Sequence, residues 1–231
     1  GRPATPERTY GYHRVEIMAA LANAVVLLFI SVFILYEAYQ RFLDPPEVAS
    51  GWMLVVAAVG LVVNLVGIVI LHSGANESLN VKGAYFEVLS DMLASIGVII
   101  AALIMWLTGW YYADPLFSAI VGLFILPRTW KLLMDAVHVL LEGTPPEIDL
   151  AALRDAIASA EGIVDVHDLH AWSLTSGVNA LSAHVVAADG ADHGAILSGV
   201  RRIIVDGFPI THTTIQIEPS DWNEDRDTTH D

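Results

Sequence analysis

The 231-residue chain contains no cysteine and few basic residues. Without cysteine there is neither a disulfide framework nor a thiolate metal site, so metal ligands must come from histidine, carboxylates, the backbone or water. Only 11 lysines and arginines stand against 26 acids, which gives a net charge of −15. This balance argues against binding to nucleic acid and against adhesion to anionic lipid surfaces.

The chain is rich in long apolar runs, and 55% of its residues are hydrophobic. Crossing a bilayer as a helix takes about 20 apolar residues. Four runs are long enough: residues 15–36, 52–71, 84–107 and 113–141. They predict four membrane spans, since buried helices of soluble proteins rarely stay apolar for so long. Pro127, inside the fourth run, predicts a kink there.

Basic residues near the ends of these runs predict their orientation. Arg2, Arg8 and Arg14 precede the first run and Lys82 lies between the second and third, whereas the segment after the third run has no basic residue. The positive-inside rule then places the N-terminal flank, the loop between the second and third runs and the C-terminal region in the cytoplasm.

Two acids, Glu87 and Asp91, lie near the start of the third run. Residues four apart share one face of a helix, so both carboxylates are expected to point the same way. Acids at membrane depth are costly and mark ion paths, proton relays or buried partners. The pair therefore predicts coordination of a divalent cation. The alternative left open is a helix near the interface whose acids reach cytoplasmic water.

Other polar residues in the runs favour structural roles. Asn23 and Asn64 are expected to form hydrogen bonds between helices. Asp114 directly precedes Pro115, a pattern typical of a capped helix start, so it is predicted to cap the fourth helix.

From Glu142 onward the composition becomes that of a small soluble domain, with 16 acids against four arginines. The periodicity predicts an α-β-β-α-β order, with a helix, two strands, a helix and a strand at residues 150–160, 163–174, 178–187, 191–205 and 211–217. The predicted domains are a transmembrane domain at 1–142, this domain at 143–219 and a disordered acidic tail at 220–231. A core this small makes a homodimer a reasonable expectation.

Histidines and one acid of this domain suggest a metal site. In a strand His167 and Asp168 would face opposite sides, so both can serve one site only if the strand bends. Each histidine taken alone is better explained as a surface residue than as a ligand. Together their imidazole and carboxylate groups suit zinc or a similar late divalent metal. The candidate ligands are His167, His170, His184, His193, His212 and Glu218.

Four motifs occur in order along the chain: TYGYHRVEIMAALANAV, NVKGAYFEVLSDMLASIGVI, DPLFSAIVGLFIL and VHDLHAW…LSAHV…TIQIEP. In this combination the chain resembles the cation diffusion facilitator family, zinc-type divalent cation/proton antiporters of membranes. The resemblance covers the chain up to about Pro219. It implies the fold of that family, an α-helical membrane domain of six spans and a cytoplasmic α+β ferredoxin-like domain, in a homodimer.

The resemblance also implies site residues. The four runs match the third to sixth spans, and Glu87 and Asp91 fall on the fifth-span half of a four-ligand transport site. The two spans that carry the other half are absent from this chain. It is therefore expected either to be a fragment, without transport of its own, or to rely on a partner for the rest. Arg14 and Glu142 match a charge contact between the third and sixth spans.

The chain departs from the family pattern in places. Zinc-transporting members usually have histidine where this chain has Glu87, and a carboxylate favours manganese, iron or cobalt more than imidazole does. His167, His184 and His193 match positions that bind zinc in some members. Gln216 stands in place of a possible ligand, and Glu218 keeps a carboxylate at another ligand position. His170 and His212 are additional candidates.

The resulting hypothesis is an efflux transporter of the bacterial inner membrane that exchanges a divalent cation for protons by alternating access. Zn²⁺ is the first expectation as substrate and as possible regulator, with manganese, iron or cobalt as alternatives. A membrane-anchored metal sensor without transport is the second hypothesis. An intramembrane metalloenzyme is disfavoured because the runs contain no HExxH-like pattern.

Overall fold

The structure, a computed structural model, describes residues 5–45, 50–72 and 79–221. Within these ranges the side chains of residues 50, 79–84, 86 and 87 are not described. Most of the predicted disordered tail, residues 222–231, therefore lies outside the described residues. The described part of the chain divides into two compact units, Ala24–Lys131 and residues 1–23 with 132–231.

Four long helices form first along the chain: α1 (His13–Leu43), α2 (Ser50–His72), α3 (Leu79–Thr108) and α4 (Ala113–Leu140). Each is long and apolar enough to cross a membrane, which confirms the four predicted spans. α1 and α3 extend beyond the apolar runs into the polar residues that flank them. α4 is a single helix that contains Pro127, and the kink stays a prediction.

Small residues let the helices of the first unit approach one another. α2 packs along α3, where Gly60 lies beside Ser95 and Gly67 beside Val88. A Cβ atom at Gly122 of α4 would meet the end of the Leu35 side chain of α1 at 2.8 Å, so a larger residue there would require Leu35 to move. Close approach at small residues is the usual basis of helix packing in membranes, where lipid removes the hydrophobic drive for association.

The second unit contains the domain that was predicted as α-β-β-α-β. Its elements are α5 (Leu150–Ala158), β1 (Ile163–Thr175), β2 (Val178–Ala187), α6 (His193–Gly207) and β3 (His212–Pro219). β1 is antiparallel to β2 and β2 is parallel to β3, in the order β1-β2-β3. Four apolar helices and this domain together confirm the predicted fold class.

Several element ends of this domain differ from the prediction by one or two residues, and two of them affect the candidate site or its surroundings. α6 begins at His193, two residues later than expected, because the Asp192 carboxylate accepts hydrogen bonds from the Gly194 and Ala195 N–H groups and caps the helix. β3 continues two residues further, to Pro219, since its pairing with β2 extends to Ala187. The extension brings Glu218 into the sheet.

The core of the domain lies between one face of the sheet and helices α5 and α6. Leu153 and Ile157 of α5 and Val200 and Ile204 of α6 are completely buried there. They pack on sheet residues that include Val166, Leu181 and Val185. Side chains alternate along a strand, so the remaining ones point away from these helices. We call that side the outer face, with His167, His170, Trp172, Ser182, His184, Gln216 and Glu218 on it.

α4 ends in a Schellman motif just before this domain. The N–H of Gly143 donates to the His138 carbonyl at 3.0 Å, and the N–H of Glu142 donates to the Val139 carbonyl at 3.2 Å. Glu142 adopts φ of 60° at the position where glycine is usual. A Cβ atom at Gly143 would clash with the His138 ring, so a larger residue would require this ring to leave its contact with the Thr144 carbonyl.

Candidate metal-binding sites

Glu87 and Asp91 both lie on the backbone of α3. The side chain of Glu87 is outside the described residues, and that of Asp91 is exposed. Asp91 falls three residues after the start of the apolar stretch Val88–Thr108. A single helix thus carries both acids four residues apart, which puts them on one side of it. Their role as ligands stays a prediction.

Polar neighbours follow Asp91 on the α2 side of α3. The Ser95 hydroxyl donates to the Asp91 carbonyl at 2.9 Å, and Asn64 Nδ2 of α2 donates to Ser95 Oγ at 3.4 Å. Asn64 therefore forms the hydrogen bond between helices that its place in an apolar run predicted. This short network ties α2 to α3 one turn beyond Asp91.

Three of the predicted ligands come together on the outer face of the C-terminal domain. His167 of β1 is opposite His184 of β2, and His184 is beside Gln216 of β3, two residues before Glu218. Residues two apart on a strand share a face. Consequently each strand contributes one side chain to the same place, although the three are far apart in sequence.

The contacts within this group are short. His167 Nε2 lies 3.0 Å from Glu218 Oε2, and His184 Nδ1 lies 2.9 Å from Glu218 Oε1. The two imidazole rings meet edge to face at 5.3 Å between centroids. Glu218 is buried, with 4% of its side chain exposed, and its Oε1 also accepts a hydrogen bond from Gln216 Nε2. One carboxylate therefore faces both imidazoles.

The donor set fits a late divalent metal ion. Ligand atoms about 2.1 Å from a tetrahedral zinc lie about 3.4 Å from one another. One donor atom each from His167, His184 and Glu218 lie within 4.8 Å of one another. Two imidazole nitrogens and a carboxylate oxygen are ordinary zinc ligands, and they leave a fourth position for water or another group. Among the described residues, no other group of three or more histidine, aspartate or glutamate side chains lies close enough together to hold an ion.

A β-bulge brings Asp168 to the same face. His167 is opposite His184 but His170 is opposite Ser182, so β1 has one more residue than β2 between these pairs. Asp168 adopts φ of 49° there. Its Oδ1 lies 2.8 Å from His170 Nε2, and its Oδ2 lies 3.6 Å from His184 Nε2. The bend that the sequence required for His167 and Asp168 to share a site is therefore present.

The other candidate ligands lie outside the three-residue group. His170 contacts Asp168, and His193 is the first residue of α6. His212 pairs with Ala180, whereas His184 pairs with Gln216. His212 therefore lies four residues along the strand from the His184 position, a distance of about 13 Å at the usual strand rise. Its ring meets that of Tyr10 edge to face at 5.5 Å between centroids.

Two ion pairs join distant parts of the chain. Arg14 Nη2 lies 2.5 Å from Glu142 Oε1, the two groups that the resemblance placed together. In the other unit, Arg41 Nη1 lies 2.9 Å from the buried carboxylate of Asp114, while Nη2 contacts Glu37 at 3.1 Å. Asp114 lies inside the first turn of α4, which begins at Ala113. The prediction that it caps this helix was wrong, because its side chain reaches Arg41 instead.

The residues that sequence reasoning missed are Asp168, as a neighbour of His184, and Arg41, as the partner of Asp114. The spacing His-Asp-Leu-His carried a signal for the first, because histidines three apart on a strand share a face only if a bulge intervenes. Nothing in the sequence links Arg41 to Asp114, which are 73 residues apart.

The fold and this site define a class: an integral membrane protein of four apolar helices that carries a small α+β domain with a candidate metal site. Residues 1–141 match the family described as the cation efflux transmembrane domain. Residues 145–220 match the family described as the cytoplasmic domain of cation efflux proteins. The chain belongs to the cation diffusion facilitator family, as its motifs suggested.

Three similar proteins illustrate the relationship. The metal cation efflux system protein CzcD of Cupriavidus metallidurans is 47% identical over 218 residues, which are 94% of this chain and 69% of that protein. A cadmium, cobalt and zinc/H(+)-K(+) antiporter of Bacillus subtilis is 43% identical, covering 97% and 73%. The zinc transporter ZitB of Escherichia coli is 39% identical, covering 94% and 70%.

A solved structure is also similar to part of the chain. It is described as the metal-bound C-terminal domain of the CzcD transporter. It is 41% identical and covers 31% of this chain and 99% of that one, with a TM-score of 0.29.

Proposed function

We propose that this protein exports a divalent metal cation of the zinc type in exchange for protons. Support comes from its family and from relatives that are described as cation efflux systems or as zinc, cadmium and cobalt transporters. The proposed location is the bacterial inner membrane, with the C-terminal domain in the cytoplasm. This orientation rests on the basic residues that flank the apolar runs.

The observation that carries the proposal is Asp91, an exposed carboxylate within the apolar helix α3. A charged side chain in such a helix is costly and persists where it has a functional partner. Glu87 lies one turn earlier on the same side of the helix. We assign the two carboxylates to one metal site, with the metal as transported substrate.

Exchange for protons follows from the chemistry of carboxylate ligands. Carboxylates bind a cation in their deprotonated form, so metal binding releases protons and proton binding releases metal. A site that opens alternately to the two sides of the membrane would then couple the two fluxes. We place this cycle in a homodimer, as in the family that the motifs indicate.

We assign a regulatory role to the group of His167, His184 and Glu218. All three contribute side chains from the C-terminal domain, whereas the proposed transport ligands Glu87 and Asp91 belong to α3. Metal bound there would stabilise the domain and thereby signal the cytoplasmic metal concentration. The ion pair between Arg14 and Glu142, which links the start of α1 to the end of α4, is the contact through which we expect helix positions to be maintained.

Metal flux in inverted membrane vesicles tests the assignment of Asp91 when the chain is joined to the two further spans that the resemblance implies for the other half of the site. Asp91→Asn removes one charge without changing shape and is expected to abolish metal-driven proton movement at unchanged expression. The matched control is Asp135→Asn, the same change at an exposed acid of α4. Undiminished flux in Asp91→Asn would disprove the site. Metal binding by the unaltered protein without any flux would favour a membrane-anchored sensor.

The identity of the metal is tested by comparing zinc, cadmium, cobalt, manganese and iron in the same vesicles. Imidazole suits zinc better than a carboxylate does, so Glu87→His is expected to shift preference towards zinc. A variant whose preference does not change would show that Glu87 does not contact the ion.

A further inference from the structure

The bulge at Asp168 changes which side chains of β1 reach the outer face. Val166 and Ala171 are buried in the core, and Leu169 packs against it. Strict alternation would put His167 and His170 on opposite faces, because they are three residues apart. The extra residue resets the alternation, so that His167, Asp168 and His170 all lie on the outer face.

This arrangement depends on an uncommon backbone conformation. Asp168 has φ of 49°, in the left-handed region that most residues avoid and that aspartate and asparagine tolerate best after glycine. Residues held in such conformations cluster at functional sites, where the surroundings maintain them. At Asp168 the consequence is specific, since the carboxylate lies between two imidazoles at 2.8 and 3.6 Å.

The two nitrogens of His184 have different neighbours. Nδ1 is 2.9 Å from Glu218 Oε1, on the side where His167 also lies, and Nε2 is 3.6 Å from Asp168 Oδ2. An imidazole directs its two nitrogens away from each other across the ring. An ion held by His167, Glu218 and Nδ1 of His184 would therefore lie on the far side of the ring from Asp168, out of reach of its carboxylate.

We propose that Asp168 is a positioning residue for the metal site of the C-terminal domain. Its carboxylate faces Nε2 of His184 at 3.6 Å, and its charge favours a proton on that nitrogen, so that Nδ1 can give its lone pair to an ion held with Glu218. Metal-binding histidines commonly donate their second N–H to a carboxylate in this way, which orients the ring and raises its basicity. The inference rests on the proposed metal site and adds a residue that supports it without touching the ion.

The contact with His170 supports the same role. His170 Nε2 lies 2.8 Å from Asp168 Oδ1, so the carboxylate is held from one side while it faces His184 from the other. At 3.6 Å the Asp168–His184 contact is an electrostatic one, longer than a full hydrogen bond of about 2.7–3.2 Å. His170, a candidate ligand by sequence, thereby becomes the partner that orients Asp168.

Two substitutions test the proposal without disturbing the bulge. Asp168→Gly keeps a residue that prefers positive φ and deletes the carboxylate, while Asp168→Asn keeps both shape and φ preference and removes only the charge. Zinc affinity of the 231-residue chain in detergent is measured by competition with a chelator. We expect affinity to fall about 10- to 100-fold in Asp168→Gly, and less in Asp168→Asn. Asp206→Asn, the same charge change on exposed α6, is the matched control and is expected to bind as the unaltered chain does.

A second readout follows the histidine rings themselves. Nitrogen-15 NMR of the zinc-loaded chain reports the state of each ring nitrogen. The expected result is an ion on Nδ1 and a proton on Nε2 of His184, with an Nε2 resonance that shifts in Asp168→Gly, while thermal unfolding of the metal-free chain is unchanged. A purely structural role for Asp168 would change unfolding but not this resonance.

His184→Ala separates failure of this inference from failure of the metal site. If His184→Ala binds zinc as tightly as the unaltered chain, the assigned site itself is wrong. If His184→Ala loses binding while both Asp168 variants keep full affinity and an unshifted Nε2 resonance, the site stands and the role of Asp168 is disproved.

Discussion

The helices of the unit Ala24–Lys131 and the C-terminal domain use apolar side chains in opposite ways. In α2 only 6% of the most apolar stretch is buried within the protein, and Val69 and Ile70 are each 69% exposed. In the C-terminal domain Leu153, Ile157 and Ile204 are fully buried between sheet and helices. The difference teaches that apolar content by itself does not define a core. Lipid covers the side chains in the first case and protein covers them in the second.

The largest expected effect compares the same substitution in the two regions. Ile204→Ala removes a completely buried side chain and is expected to lower the free energy of unfolding of the C-terminal domain by about 2–5 kcal/mol. Ile70→Ala removes an outward-facing side chain and is expected to change stability by no more than about 0.5 kcal/mol. Amide hydrogen exchange of β1 to β3 and of α2 measures both. Equal losses would mean that α2 is covered by protein.

Stabilisation by bound metal is the next largest difference that we expect between the two regions. Zinc at about 100 times its Kd should stabilise the C-terminal domain by about 2.7 kcal/mol, because a ligand that binds only the folded state shifts unfolding by mass action. The protection should appear in the amides of β1 to β3 and disappear with a chelator.

Variants at two histidines sharpen this prediction. His184→Ala is expected to abolish the stabilisation, since it removes a member of the three-residue group. His193→Ala is expected to keep it, because His193 lies at the start of α6, outside that group. Loss of the zinc-dependent stabilisation in His193→Ala would show that His193 is a metal ligand.

The two long-range ion pairs give a smaller contrast. Asp114→Asn leaves Arg41 opposite a neutral group at a buried position, and is expected to cost about 1–3 kcal/mol. Glu142→Gln breaks the exposed pair with Arg14 and is expected to cost at most about 1 kcal/mol. Thermal unfolding in detergent measures both, and a larger loss in Glu142→Gln would show that this pair is shielded from solvent.

The conformation of Glu142 adds the smallest effect. Glu142→Gly loses the same ion pair but suits φ of 60° at the end of α4. It is therefore expected to be at least as stable as Glu142→Gln in the same unfolding experiment. A less stable Glu142→Gly would mean that the side chain contributes more than its contact with Arg14.

Much of the fold followed from local patterns. The spans were predictable because a bilayer demands about 20 apolar residues in succession, and the α-β-β-α-β order because strand and helix have different periods. The helix start at His193 was placed two residues too early, since the cap at Asp192 overrides the apolar pattern. Three assignments stay predictions: Glu87 and Asp91 as ligands, the metal ligands of the C-terminal domain, and the domain boundaries.

The sequence by itself determined the membrane helices, the family and the residue types from which a metal site can be built, because these depend on composition and spacing along the chain. Only the tertiary structure decided which of those residues meet. Three strands place His167, His184 and Glu218 together, a bulge turns Asp168 towards His184, and helix packing joins Arg41 to Asp114. Such contacts depend on strand register and helix packing, which are settled by the whole fold rather than by any one segment.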